Sequence, residues 1–134
     1  MSMNQPCVDI HKEWDIVAAR QLARDIAKQT GFGTVDQARI ATAASEIARN
    51  IFLYAKTGTI CFNVIESIER KGISLSAFDN GPGIQDIGRA MGDGYSTSGG
   101  LGAGLPGVKR LMDEFDVQSE MGKGTEIRAV KWLR

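Results

Sequence analysis

Two stretches near the start of the chain carry apolar residues at helical spacing. Residues 13–30 repeat them every three or four positions, which predicts an amphipathic helix, and the Gly-Phe-Gly segment at 31–33 predicts where it ends. Thr34 is the expected cap of a second helix, with Gln37 at the spacing of a capping box. An apolar stripe over residues 40–55 continues this second helix.

The rest of the chain predicts strands and one further helix. Alternating segments with β-branched residues predict an initial strand and two hairpins. The predicted strands span residues 8–12, 59–67, 72–79, 116–120 and 125–132. A helix predicted over 105–115 has Pro106 near its first position, where proline is favoured. The order β-α-α-β-β-loop-α-β-β predicts an α+β two-layer sandwich, in which helices cover one face of a mixed, mostly antiparallel sheet.

Length and charge restrict the possible functions. The chain has 134 residues, so we expect a single domain over residues 1–134. Lysine plus arginine and aspartate plus glutamate each number 16, so the formal net charge is zero. A neutral chain argues against a dominant role on nucleic acid or on anionic membranes, because both need a basic surface.

The N-terminus and the cysteines indicate where the protein works. The first residues lack the basic and apolar regions of a secretory signal, and the densest apolar stretch, residues 51–55, is far shorter than a membrane span of about 18 residues. We therefore expect a soluble, cytoplasmic protein. Cys7 and Cys61 form no recognised motif, so two reduced thiols are expected.

Glycine is the one anomaly of the composition: the chain has 16, and ten of them lie between Gly81 and Gly107. The segment 79–84, Asp-Asn-Gly-Pro-Gly-Ile, directly follows a predicted strand. Its aspartate can accept a hydrogen bond from an exocyclic amine, and its glycines allow a flat ring to approach the backbone. The alternative is an ordinary turn.

A second glycine-rich segment, Gly-Gly-Leu-Gly-Ala-Gly-Leu at 99–105, runs directly into a predicted helix. Backbone N–H groups without bulky side chains can converge on a phosphate at such a position. A flexible lid is a compatible interpretation. The glycines at 102, 104 and 107 match the dinucleotide-binding pattern, but no βαβ unit surrounds them, and the Gly-Lys-Gly-Thr at 122–125 lacks the helix of a P-loop.

Glu46 and Asn50 are four residues apart, so they share one face of the second helix. A carboxylate there can position or deprotonate a nucleophile, and an amide oxygen is a suitable ligand for Mg²⁺. A polar helix surface is the alternative when the pair is taken alone.

Four segments together resemble the motifs of the GHKL ATPase and kinase superfamily, which includes gyrase, Hsp90, histidine kinases and MutL. They are Ser-Glu-Ile-Ala-Arg-Asn at 45–50, the segments 79–84 and 99–105, and Gly-Thr at 124–125. Each motif is weak alone, but their order is typical of this superfamily. The chain is most similar to its anti-sigma-factor-type serine/threonine kinases, and among these to stressosome switch kinases of the RsbT type.

This resemblance implies roles for single residues. Asn50 is expected to coordinate Mg²⁺, Glu46 to act as the base or positioning group for the attacking hydroxyl, and Asp79 to accept a hydrogen bond from the adenine amino group. Thr125 is expected to support the adenine pocket. For Arg49 an ordinary surface or pairing charge is favoured, and a contact to the γ-phosphate or to the protein substrate is the alternative. The other expected nucleotide contacts are Gly81, Gly83, Gly100, Gly102, Gly104 and Leu105.

The resemblance also implies the function. It predicts an ATP- and Mg-dependent kinase that phosphorylates Ser or Thr on STAS-domain proteins and, when released, activates a PP2C-type phosphatase in a stress pathway. Two alternatives stay open. The chain could bind a sigma factor directly and phosphorylate an anti-anti-sigma factor, or it could be a binding module in which ATP controls partner affinity without phosphoryl transfer. A histidine kinase proper is disfavoured, because His11 is the single histidine and lies on a predicted strand.

Overall fold

A computed structural model describes residues 5–81 and 104–134. Most of the glycine-rich loop therefore lies outside the described residues. The elements are β1 (Cys7–Ile10), α1 (Trp14–Thr30), α2 (Thr34–Tyr54), β2 (Gly58–Glu66), β3 (Lys71–Asp79), α3 (Leu105–Leu111), β4 (Glu114–Glu120) and β5 (Gly124–Trp132).

The strands form one sheet in the order β1-β2-β3-β5-β4. All four pairs of neighbouring strands are antiparallel. The described strands therefore form an antiparallel sheet, whereas the prediction was a mixed, mostly antiparallel one. The two predicted hairpins are β2–β3 and β4–β5, and they join through the pairing of β3 with β5. The predicted α+β fold is confirmed.

The core lies between one face of the sheet and the helices. The alternating side chains of the strands reach it, with Phe62, Leu75 and Ile127 almost completely buried. Ile40 and Ile47, on the apolar stripe of α2, are also inaccessible to solvent. α1 and α2 pack on each other and on the same sheet face, so the two helices form one layer over the core.

The start of α2 differs from the prediction. Gly33 occupies the N-cap, with extended backbone, and no side chain makes a capping hydrogen bond. Thr34 is the first helical residue instead of the cap. The side-chain amide of Gln37 donates to the carbonyl of Phe32 at 2.7 Å, so the expected capping box does not form.

The third helix is shorter than predicted. It ends at Leu111, and Met112 is already extended, whereas the apolar pattern predicted a helix to residue 115. Two long-range contacts explain the early end: Nζ of Lys131 donates to the carbonyl of Leu111 at 2.9 Å, and Asp113 accepts the backbone N–H of Trp132 at 2.7 Å. Both contacts supply hydrogen-bond partners just after α3 that a continued helix would not provide.

The two cysteines form a disulfide, so the expectation of reduced thiols is wrong. Cys7 and Cys61 lie directly opposite each other in the register of β1 and β2, and their Sγ atoms are bonded. Sequence spacing could not indicate this, because the two residues are 54 positions apart and meet only through strand pairing. The bond ties the short edge strand β1 to the sheet.

The described part of the chain has no helix that is long and apolar enough to cross a membrane.

The disulfide predicts a dependence of stability on reductant. A cross-link that closes a loop of this length contributes about 2–4 kcal/mol to the free energy of unfolding. We expect urea denaturation of the oxidised protein to shift to lower urea when a reductant is added. Cys7→Ser should unfold at the lower midpoint and should not respond to reductant, whereas a reductant-independent midpoint in the unaltered protein would contradict the cross-link.

Asp113 predicts a loss of stability in acid. Partial burial raises the pKa of this carboxyl, but the N–H of Trp132 and the charges of Lys131 and Arg134 more than offset it, so the pKa lies below its usual value. A carboxyl with a lower pKa in the folded state stabilises the protein above its unfolded pKa, about 3.9, and this contribution disappears as pH falls through the folded value.

We therefore expect Asp113→Asn to be less stable than the unaltered protein at pH 7, with the difference narrowing below about pH 4. Urea unfolding over a pH series measures this difference. A gap that stays constant down to pH 2 would show that the ionised carboxylate of Asp113 is not the stabilising group.

Candidate functional site

Asp79 is the last residue of β3 and is half-buried. Its Oδ1 accepts the backbone N–H of Gly81 at 2.9 Å, which fixes the carboxylate in a turn. Within residues 5–81 and 104–134, Oδ2 accepts no hydrogen bond. Within the described residues, one carboxylate oxygen is therefore anchored and the other can accept a hydrogen bond from a ligand.

Gly124 lets β5 approach Asp79 closely. A Cβ atom at Gly124 would lie 1.9 Å from the carbonyl oxygen of Asp79, and the backbone φ there is 121°. Only glycine fits both the space and this left-handed conformation. The contact brings the start of β5 against the end of β3.

Thr125 lies opposite Asp79 in the register of β3 and β5. The residue is buried, and its Oγ1 lies 2.8 Å from the hydroxyl of Ser119. Ser119 Oγ also donates to the carbonyl of Gly124 at 3.0 Å. Ser119 was not among the predicted site residues, although its position opposite Thr125 in the predicted final hairpin was an available signal.

The end of α2 joins the same group of residues. A Cβ at Gly81 would lie 2.6 Å from that of Ala55, which caps α2, and one at Gly58 would lie 2.7 Å from the side chain of Ile51. No side chain could be accommodated at these contacts without displacement. The ends of α2 and β3 and the start of β5 therefore meet, and this meeting place defines the candidate site.

Glu46 and Asn50 lie on α2 before this junction, as the helical spacing predicted. Glu46 is only 4% exposed, whereas Asn50, one turn later, is half-buried. The Nη1 atom of Arg49 lies 3.4 Å from Oε2 of Glu46. A buried carboxylate needs an opposite charge or hydrogen-bond donors, and the guanidinium supplies the charge.

The predicted phosphate-binding loop, residues 99–105, falls within the described residues only from Gly104 onward. Gly104 is the N-cap of α3 with φ at 66°, and Leu105 follows as a buried first helical residue. Gly83, Gly100 and Gly102 lie outside the described residues. Because α3 packs against α2, the described end of the loop is on the helix layer that also carries Glu46.

Three sequence signals have ordinary structural roles. The segment 122–125 contains the turn between β4 and β5 and leads into a strand, so it is not a P-loop. The helix after Gly104 is followed by an antiparallel hairpin, which excludes the dinucleotide-binding unit. His11 lies just past β1, and its backbone N–H donates to Asp15 at 2.9 Å.

Comparisons with known proteins agree with this geometry. Residues 35–134 match the family described as histidine kinase-, DNA gyrase B- and HSP90-like ATPases. The chain is 64% identical over 131 residues to serine/threonine-protein kinase RsbT of Bacillus subtilis (strain 168), covering 98% of each chain. It is 31% identical over 119 residues to the anti-sigma F factor of Thermoanaerobacter sp. (strain X514), covering 86% of this chain and 83% of that protein.

A solved structure supports the fold. The SiaB-SiaC complex from Pseudomonas aeruginosa contains a chain that superposes with a TM-score of 0.56 at 11% identity, over 96% of this chain and 89% of that one. Together with the sequence matches, these findings identify the chain. It belongs to the family of histidine kinase-, DNA gyrase B- and HSP90-like ATPases, and within that family it is a serine/threonine-protein kinase.

Proposed function

We propose that this kinase uses ATP and Mg²⁺ to phosphorylate Ser or Thr on STAS-domain partner proteins of a stressosome. After release from them, it binds and activates a PP2C-type phosphatase in a partner-switching stress pathway of the cytoplasm. The observation that carries the catalytic part is the junction of α2, β3 and β5, because one helix bearing a buried Glu46 and a half-buried Asn50 ends against Asp79.

The adenine end of the site is assigned to Asp79 and Thr125. Oδ2 of Asp79 is available to accept a hydrogen bond from the amino group of adenine, while Oδ1 is held by Gly81. Thr125, buried beside it, supports the pocket wall. The close backbone approach at Gly124 keeps the wall free of a side chain that would fill the pocket.

The phosphate end is assigned to Asn50 and the glycine loop. The side-chain oxygen of Asn50 is a hard ligand suited to Mg²⁺. In the described ranges no group of three or more His, Cys, Asp or Glu residues could hold a metal, so the phosphates themselves would supply much of the coordination. Backbone at Gly104 and Leu105 faces the phosphates in this proposal, and Gly83, Gly100 and Gly102 remain predicted contacts.

Glu46 is assigned the proton transfer. The acceptor hydroxyl forms a bond to the γ-phosphorus while the bond to the ADP oxygen breaks, and Glu46 takes the hydroxyl proton. Mg²⁺ held by Asn50 would supply charge neutralisation at the phosphates, and positioning by the protein supplies most of the remaining rate enhancement. Arg49, 3.4 Å from Glu46, holds the carboxylate in place.

The partner assignment is supported by sequence likeness. The chain is 64% identical to a protein named serine/threonine-protein kinase RsbT, and its motifs resemble those of switch kinases that act on STAS-domain proteins. Its net charge of zero favours protein partners over nucleic acid.

A direct anti-sigma factor is the second candidate. It is favoured by 31% identity to a protein named anti-sigma F factor. The segment after Asn50 reads Ile-Phe-Leu-Tyr-Ala, whereas that branch is expected to carry a His-Gly pair there. This difference argues against the candidate. Co-purification with a sigma factor, in the absence of any STAS-domain partner, would favour this candidate.

Glu46→Gln tests the proposed chemistry. Amide replacement keeps the shape but removes the base, so labelling of the STAS-domain substrate from ATP should fall about 10²- to 10⁴-fold, while ATP binding persists. Glu69→Gln, an exposed change on the β2–β3 hairpin, is the matched control and should label normally. Undiminished labelling by Glu46→Gln would reject Glu46 as the base, and absence of labelling in the unaltered protein would reject the proposed substrate.

Gly124→Ala tests the close approach at the adenine end. The added methyl group would collide with the carbonyl of Asp79, so we expect unfolding to become easier by about 1–3 kcal/mol and ATP affinity to fall. Gly122→Ala is matched because Gly122 also has positive φ, 80°, but open space around it. Gly122→Ala should destabilise the protein through backbone strain but should leave ATP affinity unchanged. Equal effects of the two changes on ATP binding would contradict the proposed pocket.

A further inference from the structure

Lys131 occupies a position where the strand pattern calls for an apolar residue. On β5 it follows Ile127 and Ala129 at alternate positions, all three directed to the face that the helices cover. It is only 8% exposed. Burying an ammonium group is costly unless opposite charges or hydrogen-bond acceptors surround it. The burial of Lys131 therefore depends on the partners of its ammonium group.

The ammonium group contacts three separate parts of the fold. Nζ donates to the carbonyl of Leu111 at 2.9 Å, lies 3.7 Å from Oδ1 of Asp113 and lies 4.0 Å from Oδ1 of Asp36. The carbonyl accepts a hydrogen bond from the ammonium group, and the two carboxylates lie at ion-pair distance from it. Leu111 ends α3, Asp113 precedes β4 and Asp36 is in the first turn of α2.

Both helices lead from this cluster to the proposed phosphate end. α3 begins at Leu105, about 10 Å from its C-terminus at 1.5 Å per residue. Along α2, Glu46 lies ten residues beyond Asp36, about 15 Å by the same rise. A tether at the shared end therefore controls how the two helices are spaced where Gly104 and Glu46 lie.

From this arrangement we propose that Lys131 is a positioning residue for phosphoryl transfer. Its ammonium fixes the C-terminus of α3 to the start of α2 and thereby sets the position of the phosphate-binding backbone at Gly104 relative to Glu46. The inference rests on the proposed function, because it assumes that phosphate and base meet between these helices.

The mechanism is geometric. A displacement of about 1 Å from the productive geometry can lower the rate of a catalysed step about 100-fold. Without the ammonium group, the last carbonyl of α3 loses its donor, and two carboxylates lose a shared cation. The adenine end at Asp79 is built from the end of β3, the start of β5 and the end of α2, whereas Lys131 lies six residues along β5 from Thr125. Because ADP lacks the transferred γ-phosphate, its affinity reports mainly on this adenine end.

Lys131→Met is the informative variant, because methionine keeps an apolar stem and removes the charge. In steady-state labelling of the STAS-domain substrate, we expect kcat to fall about 10- to 100-fold, with ADP affinity within about threefold of the unaltered protein. Lys131→Arg, which keeps a cation, should recover most of the lost rate. Lys28→Met, an exposed change in the last turn of α1, is the matched control and should leave both quantities unchanged.

Two outcomes overturn the inference. One is an unchanged kcat in Lys131→Met with a lowered melting temperature, which assigns Lys131 to stability alone. The other is a parallel loss of kcat and ADP affinity, which indicates general disruption. If Lys131→Met does not fold, Asp36→Asn tests the same tether from its partly exposed partner and should lower kcat without changing ADP affinity; an unchanged kcat there overturns the inference. Absence of labelling in the unaltered protein instead defeats the proposed function, so the two failures are distinguishable.

Discussion

The approach of β5 to the end of β3 is the contact on which the rest of the site depends. At Gly124 the backbone comes so near the carbonyl of Asp79 that a single added carbon would overlap it. This contact sets Thr125 opposite Asp79 and holds the carboxylate at the sheet end. Gly81 and Gly58 permit close packing against the Ala55 and Ile51 side chains at the end of α2, so a helix and two strands meet at one corner.

The helix α2 carries charge at two places that serve different purposes. Near its start, Asp36 belongs to the cluster around Lys131, where a buried cation connects helices and strands. Three turns later, Glu46 is buried with Arg49 beside it. The cluster around Lys131 connects elements of the fold, and Glu46 is the base in the proposed mechanism. Burial of a charge is costly without partners. At both places the fold therefore holds paired charges where apolar side chains would be easier to bury.

Local sequence features predicted most of the fold. Apolar periodicity located all three described helices and both hairpins, because the spacing of buried residues is a local property. The same reasoning failed where distant residues decide the outcome. α3 stops at Leu111 because Lys131 and Trp132 provide contacts from another strand, and Cys7 meets Cys61 only through strand register.

The candidate site was predictable in part for the same reason. The helical spacing of Glu46 and Asn50, and the turn after Asp79, are local and could be read from the sequence. The pairing of Asp79 with Thr125 and the role of Lys131 depend on the pairing of β3 with β5 in the sheet, which local patterns do not specify. The position of Ser119 opposite Thr125 lies within the predicted final hairpin and was local.

In the proposed site, Asp79 recognises the amino group of adenine. The direct test compares the affinity of ATP with that of N6,N6-dimethyl-ATP, which cannot donate, in the unaltered protein and in Asp79→Ala. A hydrogen bond to a charged group contributes about 1.5–3 kcal/mol, so the unaltered protein should prefer ATP by about tenfold or more. Asp79→Ala should bind the two nucleotides almost equally. The same preference for ATP in both proteins would contradict the account.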